Sequence, residues 1–205
     1  MYCRKGRNKN YKLLYISDIK FKKNIKSKTI IFFKNYKEIL KQNIDVVFIT
    51  LPTYLAARVT LTFIKKGVHV FCEKPPARNV NEIKKVIQTS KKFPHIKIKY
   101  GFNHRYHSSV KLAKKIIKSK KYGKIRYVIA NFRYPSLTRN NNRYKKDEGD
   151  GFFYDAASYL ISRESFLFRN KNSIILKSYS QKIKNAVDLR GNIYINSSEG
   201  NRFYF

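Results

Sequence analysis

The chain has no tryptophan, one methionine, two cysteines, five prolines and eight glycines in 205 residues, and only 12 residues are acidic. Cysteines as far apart as Cys3 and Cys72 rule out a disulfide scaffold and a cysteine-based zinc site, and they fit a reducing compartment. No apolar run approaches the length that crosses a bilayer, so an integral membrane protein is not expected. Met1 to Lys12 is basic and polar, without the apolar segment of a secretory signal, and a cytoplasmic location is expected. The four histidines, His69, His95, His104 and His107, show no ligand spacing with acidic partners, and no metal is implied. What the chain does have is 42% apolar and 15% aromatic residues, enough to build a core and to argue against wholesale disorder. Its length suits one ordinary domain or two small ones.

Few acids against 46 Lys+Arg leave a net charge of +34, which points first to polyanions. The composition offers another account. Lys, Ile, Asn, Tyr and Phe number 33, 23, 18, 16 and 15, about half of the chain, and all five share codons built wholly from A and T. A base-composition bias enriches these types together, whatever the protein does. Lys outnumbers Arg 33 to 13 and is spread along the whole chain, whereas Arg is the residue favoured for planar phosphate and base recognition. No RNP motif, zinc finger or basic-leucine pattern is present, and specific nucleic-acid binding is not expected.

Along the chain, Tyr11–Ser17 reads as a strand ending at Asp18, and Thr29–Phe33 as a second apolar run. Phe21–Lys28 is basic and irregular, and Tyr36–Lys41 helical. Ile44–Thr50, apolar on both faces and stopped by Pro52, has the pattern of a buried parallel strand. Thr53 is placed to cap a helix running through Lys66 to a stop at Gly67. Val68–Phe71 reads as another buried strand. Asn79 and Glu82 resemble a capping box before a helix through Lys92, and Ile96–Tyr100 is a strand. This alternation predicts right-handed crossovers, a parallel sheet and helices on both faces, with ligands beyond the carboxyl ends of the strands. After Tyr106 the rhythm changes. Val110–Lys121 is amphipathic, with Val110, Ala113, Ile116 and Ile117 inward. Ile125–Tyr134 reads as an antiparallel strand, Pro135–Asp150 as a polar loop and Gly151–Phe168 as a helix. Ser173–Lys184 and Gly191–Asn196 read as strands, with Asn201–Phe205 as a hairpin partner.

Four pieces stand in order: Ile44–Pro52 running into LPTY, HVFCEKPP at His69–Pro76, YGFNHRY at Tyr100–Tyr106, and GDGFFYDAASY at Gly149–Tyr159. Together they resemble the glucose–fructose oxidoreductase / inositol dehydrogenase family, often written Gfo/Idh/MocA, over nearly the whole chain from Tyr11 to Phe205. The resemblance implies an α/β fold, an incomplete Rossmann-like parallel sheet followed by part of an α+β domain with an open antiparallel sheet. Residues 1–102 would form a truncated dinucleotide-binding domain and residues 103–205 a partial substrate and oligomerisation domain. It implies NAD or NADP as cofactor, a sugar, inositol or related polyol as substrate, and association with further copies of the chain. Lys74 would be the lysine of the E-K-P motif, beside the reacting hydroxyl, where an ammonium stabilises a developing alkoxide. A cis peptide is implied before Pro75. Asp155 matches the Asp of a D-x-x-x-H motif and would orient substrate hydroxyls. The His position holds Tyr159 here, and a phenol beside an ammonium can act as acid or base. On the cofactor side the resemblance places Asp18 on the adenosine ribose, and Thr50, Pro52, Tyr54, Glu73, Lys74, Asn103 and Arg105 along the rest of the site.

One part of the family pattern is not found. Met1–Asn10 has a single glycine and does not read as the strand and G-x-G-x-x-G turn that hold the pyrophosphate. The chain therefore reads as an interior piece of an oxidoreductase. The expected function is that of an NAD(P)-dependent oxidoreductase; the alternative is a catalytically inactive fragment or remnant of one, and a basic nucleic-acid-binding protein is the third reading.

Overall fold

Short apolar runs that alternate with helical ones fold as strands joined by crossovers, and the computed structural model of this chain has that order. It describes residues 12–22, 25–26, 28–133, 135, 141, 144–145, 151–168, 174–182, 188–196 and 202–205. Met1–Tyr11 and most of the polar stretch expected as a loop between Pro135 and Asp150 lie outside them.

Strands β1 (Tyr15–Ser17), β2 (Ile25–Lys26) and β3 (Ile31–Phe33) form a sheet in the order β1-β3-β2, with β1 parallel and β2 antiparallel to β3. The two-residue β2 falls in the stretch read as irregular; pairing with Phe32 and Ile31 makes it a strand, not its own pattern. A 3-10 helix, Tyr36–Lys41, follows, capped by the Asn35 side chain on the Lys37 N–H. A second sheet is wholly parallel: β4 (Val46–Ile49), β5 (His69–Cys72) and β6 (Ile98–Tyr100), in that order. The expected parallel sheet is thus two three-stranded sheets, and β1 and β4 are each an edge strand.

Helix α1 (Thr53–Lys65) joins β4 to β5, and α2 (Val80–Lys92) joins β5 to β6. Pro52, not Thr53, takes the capping position of α1; its fixed φ suits a helix entry, and Thr53 becomes the first, buried residue. Gly67, at φ +80°, ends the helix in a left-handed conformation that a glycine adopts without strain. The Asn79 side chain caps α2 on the Glu82 N–H, as the spacing predicts. Helices were expected on both faces of the sheet. Two crossovers of one hand, made in one direction, instead lay α1 and α2 against each other on the same face. There Ile49, Val70 and Cys72 are buried, while Phe48, on the opposite face, is 61% exposed.

A 3-10 turn, Asn103–Tyr106, leads into α3 (Ser108–Ser119), which ends with Lys120 at φ 54°. Val110 is buried, but Ile116, expected inward, is 44% exposed; it lies to one side of the strip that packs on its neighbours. The third sheet holds β7 (Tyr127–Ile129), β8 (Ile174–Lys182), β9 (Asp188–Asn196) and β10 (Arg202–Tyr204) in the order β7-β10-β9-β8. β8 with β9 and β9 with β10 pair antiparallel. β7, expected antiparallel, pairs parallel with β10. The long crossover between them, with helix α4 (Gly151–Phe168) inside it, permits a parallel return that a tight hairpin would forbid. α4 packs on β9 and crosses back to touch the 3-10 turn and α3.

Candidate active site

Parallel strands end their chains on one side of the sheet, so the residues that follow β4, β5 and β6 are brought together. Two main-chain hydrogen bonds lock these ends: the Glu73 N–H donates to the Ile49 carbonyl and the Gly101 N–H to the Cys72 carbonyl, each at 2.9 Å. Thr50, Glu73 and Gly101 therefore stand side by side. A Cβ on Gly101 would come within 2.6 Å of Glu73 Oε2. With glycine there, the carboxylate lies directly over the Gly101 backbone; a larger residue would make the Glu73 side chain shift.

Lys74 is the next residue after Glu73, and the Lys74–Pro75 peptide bond is cis, as the resemblance implies. Its ammonium reaches across 81 positions of sequence to α4. There it forms an ion pair with Asp155 Oδ1 and donates to the Asp155 carbonyl at 3.4 Å. Both side chains are only 8% exposed. A buried carboxylate or ammonium without a partner is strongly disfavoured, so each accounts for the other. The ammonium also lies 4.1 Å from the centroid of the Tyr159 ring, one helical turn beyond Asp155. Helical spacing of four thus presents a carboxylate and a phenol ring to one ammonium.

Tyr159 sits among aromatic rings. Phe132 stacks on it at 5.3 Å with 6° between the planes, and His104 meets it edge-on at 5.5 Å. Burial, with the charges of Arg163 and Arg105, lowers the His104 imidazole to about 4, so it is neutral at physiological pH. On the strand side, burial raises the Cys72 thiol to about 11 and the Tyr100 phenol to about 12. Neither is reactive in neutral solution, and they serve the packing beneath the site.

The other expected residues are placed as follows. Thr50 and Tyr54 are exposed, and Pro52 half-buried, at the carboxyl end of β4 and the start of α1. Asn103 is exposed in the 3-10 turn after β6. Arg105 turns toward α4: its Nε donates to Ser162 Oγ at 2.9 Å and its terminal nitrogen to the Ser162 carbonyl at 3.3 Å. Asp18 is exposed just past β1, where its carboxylate accepts from the Lys20 N–H at 2.9 Å in a tight turn. The structure thus joins Lys74, Asp155 and Tyr159 directly, while Asp18 stands on a different sheet. Sequence reasoning missed Phe132, His104 and Ser162. Ser162 had a signal, since it lies three residues beyond Tyr159 and seven beyond Asp155, on the same helical stripe. An open cavity of about 350 Å³ lies between the Pro75–Pro76 loop, Phe102 and the Ala157–Ser162 side of α4.

Comparison with known proteins bears on the family and the fold. Residues 5–98 match the oxidoreductase family with an NAD-binding Rossmann fold, and residues 110–196 match the GFO/IDH/MocA C-terminal domain. An uncharacterised oxidoreductase of Schizosaccharomyces pombe is 28% identical over 75% of this chain and 42% of its own length. Glucose-6-phosphate 3-dehydrogenase of Bacillus subtilis is 26% identical over 76% of this chain and 45% of its own. The fold is shared with the 3-ketoreductase KijD10 of Actinomadura kijaniata, solved in complex with NADP and TDP-benzene, at a TM-score of 0.82 and 18% identity; the likeness covers 94% of this chain and 60% of that one. The chain thus spans less than half the length of these two curated relatives. With its Rossmann-like parallel sheet, its largely antiparallel third sheet and matches along both parts, the chain belongs to the GFO/IDH/MocA family of oxidoreductases.

Proposed function

We propose that this chain is an NAD(P)-dependent oxidoreductase acting on a hydroxyl or carbonyl of a sugar, inositol or related polyol. The observation that carries this reading is the buried Lys74–Asp155 pair, with the Tyr159 ring against the same ammonium, at the carboxyl ends of β4 to β6. The residues present fit the cofactor's nicotinamide and ribose end. The Glu73 carboxylate, lying over the Gly101 backbone, supplies hydrogen-bond acceptors, and Thr50, Tyr54 and Asn103 are polar and accessible. Asp18, on the first sheet, would take the adenosine ribose. When bound, the nicotinamide supplies or accepts the hydride.

The chain's own groups handle charge and protons. The Lys74 ammonium, at the substrate hydroxyl, stabilises the negative charge that develops on oxygen as the carbon is oxidised. Asp155 fixes the direction of that ammonium and, by the family resemblance, orients substrate hydroxyls. The Tyr159 oxygen is the candidate acid/base, receiving the hydroxyl proton in oxidation and returning it in reduction. The stacked Phe132 and the neutral imidazole of His104 hold its ring without adding a competing charge there.

A titration of the folded chain with NADH and NADPH, followed by nicotinamide fluorescence, tests the first half of this reading. The lack of tryptophan keeps the protein background low. Saturable binding is expected, and turnover in a screen of sugars and polyols should follow. Lys74→Ala is expected to abolish that turnover while the far-ultraviolet spectrum is retained. A folded chain that binds neither nucleotide, or a Lys74→Ala variant that turns over normally, refutes the assignment. The first outcome would leave an inactive relative of the enzymes it resembles.

A further inference from the structure

Helix α4 is tied to the second sheet by two cations that follow neighbouring strands, while a third, the Lys114 ammonium of α3, lies 3.6 Å from the Phe166 ring centroid. Lys74 follows β5 and grips Asp155 and Tyr159. Arg105 follows β6, through the 3-10 turn, and grips Ser162 twice, once at the hydroxyl and once at the carbonyl. Its guanidinium also lies 5.2 Å from the Phe102 ring and 5.8 Å from the Phe166 ring. Ser162 is 6% exposed, so this contact is internal. Asp155, Tyr159, Ser162 and Phe166 are spaced four, three and four apart, which puts them on a single stripe of the helix. At 1.5 Å per residue the two grips stand about 10 Å apart along the axis.

Packing on β9 and α3 seats α4 on the third sheet, and the Lys74 grip alone would tie it to the strand ends at a single point. Two grips fix both its rotation and its translation. A slip by one residue turns the helix by about 100° and carries Asp155 and Tyr159 off the ammonium. The contact also suits Arg over Lys, because it uses a fork of donors and a flat face between rings. We propose that Arg105 is a positioning residue for the reaction: through Ser162 and Phe166 it sets the register of α4, and so the place of Asp155 and Tyr159 relative to Lys74. This rests on the function proposed above only for its catalytic readout.

The test compares wild type, Arg105→Ala, Arg105→Lys and Ser162→Ala, with two independent measurements. In the first, hydrogen exchange is followed in peptides from α4 and α1. Arg105→Ala should speed exchange across residues 155–162 about tenfold or more and leave α1 unchanged, because only the tertiary hold on α4 is lost. In the second, steady-state turnover with NAD(P) is measured. Loss of register should lower kcat up to about a hundredfold with little change in the nucleotide KM, as expected for a displaced catalytic group. Added guanidinium ion should restore part of the rate to Arg105→Ala, whereas Arg105→Lys should stay impaired. Ser162→Ala, a milder change, should move both readouts in the same direction and covers the case in which Arg105→Ala does not fold. A raised nucleotide KM at unchanged kcat would make Arg105 a cofactor contact and overturn the inference, as would unaltered exchange in α4. If wild type itself shows no turnover, the proposed function fails, and the exchange experiment decides the positioning role alone.

Discussion

Two phenylalanines, Phe63 and Phe203, are each 1% exposed, yet they sit in cores of different construction. Phe63 belongs to a cluster whose buried members among the described residues run from Phe33 to Ile96. Phe203 is grouped with Ala157, Ile193 and Ile195, drawn from α4 and two strands of the third sheet. The first core is closed by successive crossovers, so its parts are near one another in sequence as well as in space. The second depends on pieces far apart in the chain. The catalytic candidates lie on the seam: Lys74 extends from the first core, Asp155 and Tyr159 from the helix that covers the second. A rigid parallel scaffold thus supplies the ammonium, and the reacting geometry depends on how well a separately built helix is docked against it.

Breaking the seam should have the largest effect. Asp155→Ala leaves the Lys74 ammonium buried without its carboxylate, which costs about 3–5 kcal/mol when one partner of such a pair is removed. Turnover should be lost with it. A double replacement, Lys74→Met with Asp155→Leu, should recover much of the stability by removing both buried charges, and none of the turnover. Chemical denaturation of the three proteins, read alongside an assay with nicotinamide cofactor, checks this. If the double variant is no more stable than Asp155→Ala, the pair is not the uncompensated charge site inferred here.

The two phenylalanines give the next test. Phe63→Ala should cost about 3–5 kcal/mol and lower the midpoint of a transition seen by every probe. Phe203→Ala removes the same atoms from a cluster with fewer buried members among the described residues, so its cost should fall at or below the low end of that range. Its exchange protection should be lost mainly in α4 and the β7–β10 sheet. Equal losses spread over both regions would show that the two cores unfold as one unit.

The contrast between the cores also explains what could be read from the sequence. The strands at Ile44–Thr50, Val68–Phe71 and Ile96–Tyr100 and the helices between them carry short-range periodicity, and the structure has each of them within a few residues. Helix α4 was legible for the same reason, from Gly151 to Phe168. The parallel pairing of β7 with β10 was not, because strand direction depends on a connection, not on the strand's own residues. β2 was missed because two residues carry no period. The meeting of Lys74 with Asp155 has no local signal either: 81 positions separate them, and family resemblance, not pattern, linked them. Ser162 carried only its place on the Asp155–Tyr159 stripe; its partner Arg105, 57 positions away, had no local signal.

Within the first region, a smaller prediction separates local from tertiary stability. The Asn79 side chain satisfies the Glu82 N–H at the start of α2, at 3.0 Å. Asn79→Ala should cost about 1 kcal/mol, and Asn79→Gly only a few tenths. Thermal unfolding resolves the difference. A loss of the size expected for Phe63→Ala would mean that α2 nucleates the whole core instead of lying on α1.

The smallest effect lies at the same helix terminus and depends on pH. Glu82 accepts from the Arg78 N–H at 2.9 Å and from its guanidinium at 2.8 Å. Partial burial pushes the carboxyl up, but the side-chain and backbone hydrogen bonds from Arg78, with the Arg78 and Lys85 charges, outweigh it and leave the group below its ordinary 4.5. The unfolded chain therefore takes up the proton first as acid is added. The stabilisation is fully present above pH 4.5 and is lost as pH falls through the lower folded-state value. Both side chains are partly exposed, so solvent and salt keep the pair below about 1 kcal/mol. Glu82→Gln should accordingly lower stability slightly at pH 7 and progressively less as the pH falls below 4.5, with the gap shrinking further in high salt. The Glu38–Lys41 pair, with a 71% exposed lysine, is the comparison: Glu38→Gln should change almost nothing across the same pH range. If the two substitutions behave alike, the Arg78 contacts contribute no more than any solvated charge, and Asn79 alone closes the start of α2.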